Sequence, residues 1–127
     1  MKYLKLIAVG CLLASQTLYA NGKIVLEDKK ENYTQTETGY ILKFNLVATK
    51  SEISEIKEKV ADLADRLTLD ITKGDNDSNN CVFTLNHQNQ PEYVHKMLLA
   101  IGIDAIEFKG ETLPLENIIK ILYSFLQ

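Results

Sequence analysis

Between Tyr40 and Phe108 the apolar residues change their spacing from two to 3.6 and back, and no other property of the chain limits its fold as strongly. Tyr40, Leu42, Phe44 and Leu46 alternate with Ile41, Lys43, Asn45 and Val47, which predicts a strand with one dry face and one mixed face. Thr49-Lys50-Ser51-Glu52 follows as a capping box, in which Thr49 and Glu52 satisfy the first free donors of a helix. Ile53, Ile56, Val60, Leu63 and Leu67 then recur at steps of three and four and form one stripe. Burying such side chains stabilises by about 1.5–3 kcal/mol each before entropy is charged, so this helix is expected to be docked.

The period returns to two at Leu67, Leu69 and Ile71. A turn rich in Gly, Asp, Asn and Ser spans positions 73–80, and Cys81, Phe83 and Leu85 complete a hairpin. A second helix is expected from Asn89-Gln90-Pro91-Glu92, with Asn89 as its cap, Val94, Met97, Leu98 and Ile101 as its stripe, and Gly102 as its stop. Positions 103–109 read as a fourth strand, and a last helix is expected over 113–126. The order β-α-β-β-α-β is that of an α+β, ferredoxin-like two-layer sandwich, here with an extra C-terminal helix.

Ahead of Tyr40 the pattern is weaker. Lys2 and Lys5, an apolar run from Leu6 to Ala14 and small Ala20 read as a secretory signal peptide over residues 1–20. The apolar run is shorter than the roughly 20 residues a membrane span needs. Ala8-Val9-Gly10-Cys11 offers the alternative of a lipid anchor at Cys11. Residues 21–39 are polar apart from Ile24-Val25-Leu26 and read as a flexible lead-in, leaving 40–127 as the folded domain. The expected location is exported, either periplasmic or extracellular, with no stable membrane insertion once the signal is removed.

Removal of Lys2 and Lys5 leaves 12 of the 14 basic residues against 17 acidic ones, a net charge of −5. No basic stripe is present, which argues against nucleic acid as a partner. Once Cys11 is gone, Cys81 has no partner for an intramolecular disulfide. Asp75, Asp77 and Asn79 alternate like calcium ligands, yet Asn80 and Asn86 stand where a calcium loop needs Gly and Glu. His87 and Cys81 are about 20 Å apart along a strand, too far to share a metal. No nucleophile motif, phosphate loop or isolated carboxylate pair occurs, so the expectation is a non-enzymatic protein with no catalytic residue, metal or cofactor.

Residues 40–109 resemble a heavy-metal-associated domain in their strand, capped helix, hairpin and second helix through Met97-Leu98-Leu99-Ala100-Ile101-Gly102. That family holds soft metals through two cysteines in the loop after the first strand. Here the loop is Ala48-Thr49-Lys50-Ser51-Glu52, without a thiolate, so the resemblance implies the fold and not the metal chemistry. The propeptide and inhibitor domains of subtilisin-like proteases share the topology and supply an alternative function, although they use an extended tail where this chain is expected to be helical. A sensor of metal or a small ligand that has lost its cysteines is a third reading. The leading expectation is an accessory module that binds a protein partner or itself. Leu115, Ile118, Ile119, Leu122, Phe125 and Leu126, the broad apolar stripe of a last helix that must cover the sheet or another subunit, are its candidate contact residues.

Overall fold

The computed structural model describes residues 22–126. The expected signal peptide and Cys11 lie outside the described residues. The elements are β1 (Lys23–Leu26), a short 3-10 turn (Lys30–Asn32), β2 (Tyr33–Gln35), β3 (Tyr40–Val47), α1 (Lys50–Asp62), β4 (Leu67–Lys73), β5 (Ser78–Leu85), α2 (Pro91–Ala100), β6 (Ala105–Phe108), β7 (Glu111–Pro114) and α3 (Asn117–Phe125). Seven strands form one sheet in the order β4-β5-β3-β1-β6-β7, with β2 pairing β3 beside β1. The three helices and this sheet make a mixed α+β fold.

The ferredoxin-like order would set β6 directly against β3. In the structure β1 stands between them, antiparallel to β3 (Ile24 opposite Leu46) and parallel to β6 (Ile24 opposite Ile106). The stretch expected to be a flexible lead-in therefore supplies a central strand and part of a second. Ile24 is fully buried and Leu26 nearly so. The reason is the sheet's own need: β6 is only four residues long and belongs to a hairpin, and β1 joins that hairpin to the other half of the sheet. Polar neighbours on either side of Ile24-Val25-Leu26 mask a strand too short to show a period.

The β2–β3 connection is a close turn in which Gly39 donates to Thr36 Oγ1 at 2.8 Å and accepts from the Thr36 amide at 3.0 Å. A Cβ at Gly39 would stand 1.8 Å from the Leu85 carbonyl oxygen, so only glycine lets β3 and β5 meet there. Asn89 does not cap α2, whose N-cap is Gln90. Its amide instead donates to the carbonyls of Thr36 and Glu37, while its carbonyl accepts from Gln35, so it ties the helix start to this turn.

The capping box forms as expected: Glu52 N donates to Thr49 Oγ1 at 3.2 Å and Thr49 N to Glu52 Oε1 at 2.7 Å. Gly102, at φ 97°, ends α2. The last helix begins four residues later than the expected 113, because Glu111–Pro114 form β7. Lys109 and Gly110 both have positive φ (53° and 82°), the backbone of a two-residue hairpin turn that follows the strand twist. Pro114, within the expected helix, closes the edge strand instead, where a missing N–H is tolerated.

One core results. Every buried apolar residue of β3, β5, β1 and β6 shares the sheet face that meets Ile56, Val94, Leu98, Ile118 and Leu122 of the helices. The other face, with Ile41, Lys43, Asn45, Val82 and Thr84, carries no helix among the described residues. Truncation of Ile24 to Ala should destabilise the protein by about 2–5 kcal/mol, the range for a fully buried core residue. Urea unfolding measures it; a change within about 0.5 kcal/mol, normal for a surface position, would return residues 21–39 to the status of a lead-in.

Candidate functional site

The apolar stripe of the last helix was expected to cover the sheet or a partner, and the structure turns it onto the chain's own sheet. Leu115 is 2 % exposed, Ile118 and Leu122 are fully buried, and Ile119 and Phe125 are packed against the core. Phe125 stacks on Tyr33 with ring centroids 4.4 Å apart and meets Phe108 edge-on at 6.5 Å. Those two aromatic residues belong to strands β2 and β6, which explains the breadth of the stripe: α3 must cover both sides of the β1–β2 break. Of the six candidate contact residues only Leu126, at 39 %, remains exposed. Tyr123, outside that set, is exposed and donates to the Glu92 carboxylate at 2.9 and 3.0 Å, which raises its own pKa.

The remaining candidates do not converge. Asp75 and Asp77 sit in an exposed turn closed by Ser78 N donating to Asp75 O, whereas Asn79 is buried in β5 and donates to the carbonyls of Leu46 and Asp77. His87 is exposed and lies 5.8 Å from the Tyr93 ring, and His95 is half-buried on α2. Among the described residues no three His, Cys, Asp or Glu side chains gather as a metal site would require, and no helix is long and apolar enough to cross a membrane.

What the sheet leaves open is its helix-free face. Successive rows cross it, and the longest reads Thr72, Asn80, Asn45, Val25, Glu107, Thr112 over six strands. Asn45 Nδ2 donates to Asn80 Oδ1 at 3.0 Å and Ser78 Oγ donates to Asn45 Oδ1, so the two central strands carry a fixed amide ladder. Lys23 pairs with Glu107 at 2.9 Å further along. Val47, Val25, Ile41 and Val82 lie between these polar groups, with Val47 39 % exposed.

This face is also recessed. β2 is in register with residues 40–42 of β3 and β1 with residues 45–47, so Lys43 and Phe44 face a gap where the chain leaves the sheet between Leu26 and Tyr33. A concavity of about 680 Å³ occupies that gap, lined by Lys43, Asn45, Val25, Val82 and Asp70 together with Glu27 and Asn32 of the connecting turn. The described aromatic residues of the strands, Tyr33, Tyr40, Phe44, Phe83 and Phe108, all take the helix-covered parity. The open face therefore lacks the stacking platform on which unpaired bases are read. Sequence alternation had separated these two faces correctly; the recess depends on β1 and β2, which no period announced.

Cys81 lies on the covered face, 2 % exposed, and burial pushes its thiol up to about 12 from 9.0. Tyr40, fully buried, rises to about 12 from 10.0 through burial and then the nearby Tyr123. Both groups ionise in the unfolded chain before they do in the folded one. Their contribution to stability is complete below about pH 9 and is lost as the pH climbs through 12. The stability gap between the wild type and Cys81→Ala should accordingly narrow between about pH 9 and 11 in urea titrations; a constant gap would show that the thiol is not shielded. Comparison with family models, curated proteins and solved structures finds no match for the chain.

Proposed function

We propose that the chain is an exported, non-enzymatic module that binds a protein partner, or a second copy of itself, through the helix-free face of its sheet. The single observation that supports this reading is that recessed, mixed-polarity face, which no described helix covers, while the apolar stripe of the last helix packs on the opposite face. Half-buried aliphatic residues set among fixed amides and a rim of opposite charges have the make-up of a protein contact surface that is soluble when empty. The same reading moves the contact from the C-terminal helix to β3 and β5.

The kinship with heavy-metal-associated domains belongs to this proposal as a likeness of connectivity over residues 40–109. The protease-inhibitor alternative needs an extended C-terminal segment, and residues 117–125 are a packed helix, so no observation favours it. Export rests on the charged start, apolar run and Ala20 of the sequence.

A photo-crosslinking residue placed at Val47 on the open face, and separately at Glu58 on the exposed side of α1, tests the reading in the producing cell. A discrete adduct from position 47 and none from 58 is expected. Adducts from neither site, or equally from both, would remove the open face as the contact surface. Mass spectrometry of the same material should show a chain beginning at Asn21, and an intact Met1 would remove export alone.

A further inference from the structure

The covered face is apolar in successive rows across β4, β5 and β3: Leu67–Leu85–Tyr40, Leu69–Phe83–Leu42 and Ile71–Cys81–Phe44. The next row reads Lys73–Asn79–Leu46. Two polar residues thus stand where contact between helix and sheet calls for apolar ones. Asn79 is buried at 1 % exposure, the sole polar residue in the core of the described residues, and Lys73 projects from the same face.

A cavity of about 500 Å³ lies at this row, between α1 and the sheet. The helix lines it with Lys50, Ile53 and Lys57, which share one side of α1 at spacings of three and four. The strands line it with Ile71 and Lys73. Lys50, Lys57 and Lys73, all exposed, therefore rim a space whose wall includes Ala48, Ile53 and Ile71, with Asp77 as the single carboxylate, in a chain whose net charge is −3. Lys23, Lys29 and Lys109 each have a carboxylate within 4 Å, whereas Lys73 donates to the Asn76 carbonyl. Glu52, the acid nearest to Lys50 along the helix, is held in the capping box and lines a different cleft.

Like charges gathered on a low-dielectric wall repel one another and raise the local potential, and an anion relieves both. We propose that this cavity binds a small organic anion, its carboxylate or phosphate head among Lys50, Lys57 and Lys73 and its short apolar body against Ile53 and Ile71. The site is separate from the open face and does not depend on the function assigned to it.

Calorimetric titration of the folded protein with four probes tests the proposal. Hexanoate and hexyl phosphate carry both parts of the ligand, inorganic phosphate only the head, and 1-hexanol only the body. At least one of the two complete probes should bind with one-to-one saturation, about tenfold or more tighter than either partial probe. Their ranking decides between a carboxylate and a phosphate head. Binding should weaken about tenfold in Lys57→Gln, an exposed helical position where the fold is retained, and should fall as salt is raised from about 50 to 500 mM. Failure of both complete probes, equal binding of hexanol or phosphate, or unchanged binding in Lys57→Gln would each overturn the proposal.

Discussion

Ile24 meets Leu46 on one side and Ile106 on the other, and the continuity of the sheet depends on that double pairing. Without β1 the strands β3, β4 and β5 would form one sheet and β6–β7 an isolated hairpin, a unit that is marginal in water by itself. With β1 in place, the helices have one surface to share. Ile56 of α1 and Leu98 of α2 are both fully buried, and both belong to the same core as Ile24.

The consequences reach both faces. On the covered side, the break between β1 and β2 is spanned from above by Phe125, which touches Tyr33 and Phe108. Tyr33 contributes from below by donating its hydroxyl to the Glu27 carbonyl, so its ring bridges the connecting turn and the last helix. On the open side the same break leaves a recess beside Lys43. One interruption in the sheet thus accounts for the burial of the C-terminal stripe and for the concavity opposite it.

Much of this was legible in the sequence, for stated physical reasons. The strict alternation of Tyr40–Val47 and the capping box at Thr49 both reflect local geometry, and both form as expected. The hairpin of β4 and β5 follows from its turn residues. The misses share a cause. β1 and β7 are four residues long, too short for a period to emerge, and β1 pairs only with strands distant in sequence. The breadth of the Leu115–Leu126 stripe was visible, but its meaning was not. An apolar helix face looks the same whether its cover is another protein or a sheet completed at its centre by residues 23–35. The recess was hidden for the same reason, and the cavity beside Lys50, Lys57 and Lys73 joins residues that are adjacent only after folding.

β1 is an interior strand, and amide hydrogen exchange of the folded protein tests its place most directly. The ladder amides of residues 24–26 should exchange as slowly as those of β3, because both strands are paired on two sides and open only when the core opens. Exchange of these amides at the rate of the exposed turn at Asp75–Asp77, with β3 still protected, would contradict the continuous sheet and with it the recess and the covered helix.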